Sequence, residues 1–276
     1  MIVDGRAIAD AIQAALREKI AALPESERPA LFVVMAGEHP ATKSFVSIKK
    51  RFAAAVGVPV EEIFFEEKEA TTEALIAAIG AIVARGRRGG IIVQLPLPRS
   101  INTGAVLNAI PLSYDADVLS DEAMRLFGEG KSSVIPPVIG AIREILERNS
   151  IFLHGKKVAV LGRGRLVGAP AARWFPRFGA IVKAYNSETP LREGDLSDAD
   201  IIVSGIGRPG FITPDMVKDG VILLDAGTSE AEGKMVGDAH PDTAAKCALF
   251  TPVPGGIGPV TVAVLFQNLI ALGHPF

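Results

Sequence analysis

Apolar positions along the chain recur in two rhythms. LFVVMA (31–36), VEEIFF (60–65) and GIIVQL (90–95) are short runs of strand length. GRAIADAIQAALREKIAAL (5–23), HPATKSFVSIKKRFAAAVG (39–57) and TTEALIAAIGAIVARG (71–86) instead repeat their apolar residues at helical spacing. Strand and helix in alternation predict parallel βαβ units. A loop-rich passage follows from Pro96 to Pro137. PPVIGAIREILERN (136–149) then reads as a helix leading into a second alternating unit, with strands at KVAVLG (157–162), IVKAYN (181–186), DIIVSGI (200–206) and GVILLDAG (220–227). The last segment, GPVTVAVLFQNLIALG (258–273), has helical length and is expected to pack back on the first domain. The fold class is therefore α/β with two α/β domains, residues 1–136 plus 255–276 and a Rossmann-like alternating domain at 137–254.

One position breaks the helical pattern of 39–57. At about 100° per residue, Phe45, Ile48, Phe52 and Val56 form an apolar stripe and Lys49 falls inside it, while Lys43, Ser47 and Lys50 face away. A lysine there has two readings. It buries its stem and extends its ammonium to water, or it is desolvated, titrates nearer neutrality and exchanges protons.

Composition narrows the classes of function. The 276 residues are 49% hydrophobic and 22% charged, as in a packed globular protein. Lys+Arg 29 against Asp+Glu 31 leaves no basic excess to attract nucleic acid or an acidic membrane surface. The single cysteine, Cys247, excludes an internal disulfide and a cysteine-based metal site. His39, His154, His240 and His274 show no metal-ligand spacing and read as structural or surface residues. No apolar run reaches the roughly 18 residues of a membrane span, and MIVDGRAIADAIQ lacks a secretory signal. A soluble, cytoplasmic protein without metal is the expectation.

KKVAVLGRGRLVGAPAARWF (156–175) reads as strand, glycine-rich turn and helix. Gly162 and Gly164 permit a tight bend and close approach to a phosphate, and the helix start offers unpaired N–H groups. The Gly-x-Gly-x-x-x-Gly spacing, ending at Gly168, is one residue longer than the common dinucleotide fingerprint. Arg163, Arg165 and Ser187 favour NADP, and Glu188 pulls toward NAD. In the first domain, Gln94 closes the strand GIIVQL at the end where α/β domains bind ligands. Asp115 and Asp117 follow in the loop PLSYDADVLSD (111–121), Asp115 reading as a turn or cap residue.

Together these stretches resemble the methylenetetrahydrofolate dehydrogenase/cyclohydrolase family over nearly the whole chain. The resemblance is carried by IVDGRAIADAI, FVSIKKRFAAAVGV, GIIVQLPLP, GRGRLVGAP, IGRPGFI (206–212), VGDAH (236–240) and TPVPGGIGPVTVA (251–263). It implies hydride transfer from methylenetetrahydrofolate to NADP, then hydrolysis of the methenyl product to formyltetrahydrofolate, in a homodimer with tetrahydrofolate derivatives as ligands. The family's Tyr-x-x-x-Lys motif falls on Phe45 and Lys49, which implies that Lys49 is the general acid/base and Phe45 stacks on the folate. Gln94 matches the glutamine that positions the lysine, and Asp117 the aspartate that holds the pterin edge. Pro254, Gly255 and Gly256 are implied substrate contacts. Gly162, Arg163, Gly164, Arg165, Val167, Gly168, Ser187, Gly205 and Thr228 are implied cofactor contacts.

The sequence also departs from the family pattern. Phe45 stands for the tyrosine, and the usual Lys-Asp-Val-Asp-Gly loop reads Tyr-Asp-Ala-Asp-Val with one extra residue before Asp115. Pro136-Pro137 replaces Thr-Pro, and Asn186-Ser187 replaces His-Ser. The missing hydroxyl is expected to weaken hydrolysis more than hydride transfer. The alternatives are a dehydrogenase alone, a relative with an altered substrate, and a silent dinucleotide- or folate-binding protein.

Overall fold

The computed structural model describes residues 1–37, 40–192, 194–231 and 234–273. The side chain of Lys43, and the whole of His39 and His274, lie outside that description. The chain divides into two compact units, Asp10–Pro137 with Val262–Phe276, and Met1–Ala9 with Val138–Thr261.

In the first of these, α1 (Gly5–Ala21, from Asp10 onward), α2 (Pro40–Val56) and α3 (Thr72–Ala84) alternate with β1 (Ala30–Ala36), β2 (Val60–Phe65) and β3 (Gly89–Val93). The strands form a parallel sheet in the order β2-β1-β3. All seven residues of β1 are buried, as expected of a central parallel strand covered on both faces. Phe32, Leu75, Ile79, Ile91 and Leu107 make the core between sheet and helices. Each such side chain contributes about 1.5–3 kcal/mol by leaving water. Thr71 starts α3 by accepting the Ala74 N–H at 3.1 Å.

The passage from Pro96 to Pro137, expected as loop, holds α4 (Thr103–Asn108) and α5 (Asp121–Glu129). Both are short and locally specified. Asn102 and Ser120 cap their starts, and Gly130, at φ 75°, ends α5 in the left-handed region.

The second unit receives the chain through α6 (Pro137–Arg148). Its parallel sheet contains β4 (Lys157–Leu161), β5 (Ile181–Tyr185), β6 (Ile201–Ser204) and β7 (Val221–Asp225), with α7 (Gly168–Trp174) after β4. A small antiparallel pair follows, β8 (Ser229–Ala231) and β9 (Lys234–Val236). The sheet is then completed by a strand the sequence pattern did not reveal, β10 (Cys247–Phe250), in the order β10-β7-β6-β4-β5. The chain ends in α8 (Ile257–Gly273), which contributes Val262 onward to the first unit. There Phe266 stacks on Phe52 with ring centroids 4.9 Å apart, so the last helix packs on the first domain as expected.

Candidate active site

The buried line of α2 runs through Val46, Ala53 and Val56, with Phe52 beside it. Phe45 and Ile48, expected on the stripe, are half-buried, as is Lys49. Lys49 lies on the same line, three residues after Val46 and four before Ala53. Ser47 and Lys50 are exposed, and Lys50 pairs with Glu62. Rather than snorkelling to water, Lys49 donates from Nζ to Gln94 Oε1 at 2.8 Å. Gln94, 8% exposed, is fixed in turn because its Nε2 donates to the Leu95 carbonyl at 2.9 Å. Burial lowers the pKa of Lys49, and the charge of Asp117 partly opposes it. Burial pushes the Asp117 carboxyl up; Lys49 pulls it back and Asp115 adds to the rise. A lysine and a carboxylate thus share one weakly solvated place, with a neutral amide to orient the amine.

The loop carrying Asp117 is held from several sides. Asp115 is fully buried and accepts the N–H groups of Leu119 at 3.1 Å and Ser120 at 2.9 Å, the turn role expected of it. Asn268 on α8, 3% exposed, donates from Nδ2 to the carbonyls of Ala116 (2.9 Å) and Ile135 (2.7 Å). Gly90 lets Ala116 approach, since a Cβ there would stand 2.8 Å from that of Ala116. Val118, in place of the family glycine, has φ 56° and a fully buried side chain. A β-branched residue in the left-handed region is strained, and burial of its side chain offsets part of that cost.

In the other unit the expected cofactor residues follow the C-terminal ends of β4, β5, β6 and β7, the side where parallel sheets take ligands. Gly162 has φ 91°. A Cβ on Gly168 would stand 2.1 Å from the Gly162 carbonyl oxygen, and one on Gly205 would strike Val167 at 2.7 Å. Gly162 and Gly168 thus pack backbone on backbone in the turn after β4, and Gly205, after β6, packs on the Val167 side chain of that turn. Around a Cβ on Gly164 there is open space within 4 Å. Arg163, Gly164, Arg165, Ser187 and Thr228 are exposed. Asn186 Oδ1 accepts the N–H groups of Glu188 (3.0 Å) and Thr189 (2.8 Å), closing the turn that presents Ser187. An open glycine flanked by two arginines fits a pyrophosphate and a ribose phosphate, so the residues present suit a dinucleotide.

Pro254 is exposed, and Gly255 has φ 108° with open space around it. Gly256 is buried against Pro252 and Thr251. Their support comes from Gly5, whose N–H donates to the Gly255 carbonyl at 2.9 Å. A Cβ on Gly5 would stand 1.8 Å from the Gly256 oxygen, so no side chain fits there. His154 and His240 are exposed, and His240 accepts the Asp242 N–H at the start of a short 3-10 helix. Among the described residues no group of His, Cys, Asp and Glu could hold a metal, and no helix is long and apolar enough to cross a membrane.

Four residues of this architecture were not singled out from the sequence: Gly5, Asn268, Asp225 and Asp238. Asp225 and Asp238 are buried carboxylates near the ends of β6 and β7. Burial pushes Asp225 up to about 6, against the backbone N–H groups that favour its charge. The only hint in sequence was that Gly5 and Asp238 stand within motifs, IVDGRAIADAI and VGDAH, that have no chemistry of their own.

Comparison with known proteins agrees with this layout. Residues 3–117 match the model of the tetrahydrofolate dehydrogenase/cyclohydrolase catalytic domain, and residues 136–274 that of the NAD(P)-binding domain. The bifunctional protein FolD of Streptococcus thermophilus is 35% identical over 272 residues, covering 97% of this chain and 95% of its own. FolD of Nautilia profundicola is 34% identical over 279 residues, covering 100% and 98%. Among solved structures, the Trypanosoma brucei methylenetetrahydrofolate dehydrogenase-cyclohydrolase, complexed with NADP cofactor and inhibitor, superposes with a TM-score of 0.93 at 33% identity, covering 99% and 97%. The Campylobacter jejuni enzyme gives 0.93 at 30% identity, covering 99% and 98%.

Proposed function

The chain belongs to the tetrahydrofolate dehydrogenase/cyclohydrolase family, and from that premise we propose that it oxidises methylenetetrahydrofolate with NADP and hydrolyses the methenyl product to formyltetrahydrofolate. The observation that carries the reading is the half-buried Lys49, its amine held 2.8 Å from Gln94 and within the field of Asp117. A silent binding protein has no chemical need for that arrangement.

Bound NADP supplies the hydride acceptor. Gly162, Gly164, Val167, Gly168, Gly205 and Thr228 would hold it, with Arg163, Arg165 and Ser187 meeting its phosphates. Residues 137–254 are the dinucleotide domain in this reading, and 1–136 with 255–276 the folate domain. Asp117 accepts the paired N–H donors of the pterin edge, Phe45 stacks on the ring system, and Pro254, Gly255 and Gly256 contact the substrate. Lys49, its amine favoured in the neutral form by burial, takes the proton of the water that adds to the methenyl carbon. Gln94 keeps the amine aimed without adding a charge that would raise its pKa.

A homodimer is supported by the exposed edge strand β5, where Ile181 is 63% exposed and Phe178 beside it 48%. A cytoplasmic setting is supported by the lone buried Cys247.

The testing experiment is an absorbance assay for methenyltetrahydrofolate, with methylenetetrahydrofolate and either NADP or NAD. Turnover with NADP is expected, and no turnover with either cofactor by folded protein would overturn the reading. In the same assay Phe45→Tyr is expected to raise the ratio of hydrolysis to oxidation. One regained hydroxyl hydrogen bond is worth about 1 kcal/mol, or roughly five-fold. An unchanged ratio would mean that the lost hydroxyl does not limit hydrolysis.

A further inference from the structure

IGRPGFI (206–212) and VGDAH (236–240) have no role in the reading above, and one buried carboxylate joins them. Asp238 is 0% exposed. Its Oδ2 accepts the Ser204 hydroxyl at 2.7 Å and the Ile206 N–H at 2.8 Å, and its Oδ1 accepts the Arg208 N–H at 2.7 Å. The backbone tightens the same junction. The Ile212 N–H donates to the Asp238 carbonyl at 2.9 Å, and the Gly210 N–H to that of Gly237 at 3.2 Å. The loop after β6 is thus tied to VGDAH from Ser204 to Ile212.

The turn after β7 closes on the other side. A Cβ on Gly227 would stand 2.4–2.6 Å from the Asp238 carboxyl atoms, so this glycine covers the carboxylate directly. Asp225, at the end of β7, accepts the N–H groups of Gly227 (2.9 Å) and Ala239 (2.8 Å), and a Cβ on Gly237 would meet its Oδ2 at 2.2 Å. Among the described residues, the donors to both carboxylates are backbone N–H groups and one hydroxyl, not lysine or arginine. A desolvated carboxylate without a cation is a costly way to fill a core. What it provides is strong, charge-assisted bonds that fix main-chain geometry. Three donors converge on two oxygens, a set that an amide, with one acceptor oxygen, cannot satisfy.

The clamped loop opens with Gly205, which packs on Val167 of the glycine-rich turn. The clamped turn after β7 runs directly into Thr228. We propose that Asp238 is a positioning residue for the dinucleotide, its carboxylate holding the loops after β6 and β7 in the shape that receives the cofactor. This rests on the reading of Gly205 and Thr228 as cofactor contacts.

The two activities supply an internal control, because hydrolysis of added methenyltetrahydrofolate consumes no dinucleotide. Asp238→Asn is expected to raise KM for NADP at least ten-fold, with KM for methylenetetrahydrofolate and the hydrolysis rate unchanged. Ser204→Ala, which removes a single donor, should raise KM for NADP two- to five-fold and keeps the test open if Asp238→Asn does not fold. Equal loss of both activities, or an unchanged KM for NADP in a variant that hydrolyses normally, would overturn the proposal. Wild-type protein that hydrolyses but reduces no NADP would instead remove the reading on which it stands.

Discussion

Replacing Lys49 with methionine is expected to slow hydrolysis of methenyltetrahydrofolate by roughly a hundred- to ten-thousand-fold, the range lost with a positioned general base, and to slow oxidation of methylenetetrahydrofolate far less. The difference follows from the chemistry of the steps. Hydride transfer depends chiefly on holding two ligands in register. Addition of water to the methenyl carbon needs a proton acceptor at the site, the role the proposed function gives Lys49, whose pKa burial lowers.

Methionine separates this loss from unfolding. It is unbranched, of similar length and apolar, and Lys49 lies on the line of Val46, Ala53 and Val56, so the replacement removes a desolvated charge from an apolar neighbourhood. The cost is an unpaired Gln94 Oε1, about 1–3 kcal/mol, partly returned by the removed charge. Hydrolysis rates corrected for the uncatalysed reaction, with a thermal melt beside them, provide the check. Normal hydrolysis by the variant would remove Lys49 from the chemistry.

Lysine 49 was visible in the sequence because a single charge interrupts an apolar helical period, and that signal is local. Local signals also gave the parallel strands and the turn role of Asp115. The depth of each residue along α2 was not legible there: Val46 and Ala53 are buried while the larger Phe45 and Ile48 are half-buried. β10 escaped because four residues, Cys247–Phe250, carry no period and are made a strand by β7 beside them. Asn268 joins carbonyls that stand 152 and 133 residues away in sequence. Asp238 depends on a glycine eleven positions earlier whose missing Cβ makes room for it. Such residues are specified by the shape of their partners, and no spacing rule reports that shape.

Asp117→Asn is expected to raise KM for methylenetetrahydrofolate by roughly 30- to 150-fold. That corresponds to about 2–3 kcal/mol, the upper part of the range for hydrogen bonds to a charged acceptor. Asparagine keeps the size of the side chain, so the Ala116 anchor to Asn268 and the buried Val118 are undisturbed. One acceptor oxygen is replaced by a donor facing a donor. The pH dependence distinguishes this from a general loosening of the loop. Burial holds the Asp117 pKa above its ordinary value, so the ionised form, which the proposed function takes as the folate-binding one, is gained as pH rises through that raised pKa. Wild-type KM for folate should therefore fall with rising pH, and the variant should be flat. The same substitution acts on Lys49. The carboxylate is what opposes the lowering of its pKa by burial, so without it the neutral amine persists to lower pH. The acid limb of the hydrolysis profile should move toward lower pH while folate binding weakens. A loop that had merely become disordered would weaken binding too, but it would leave that limb in place or return it toward the ordinary lysine range as water entered.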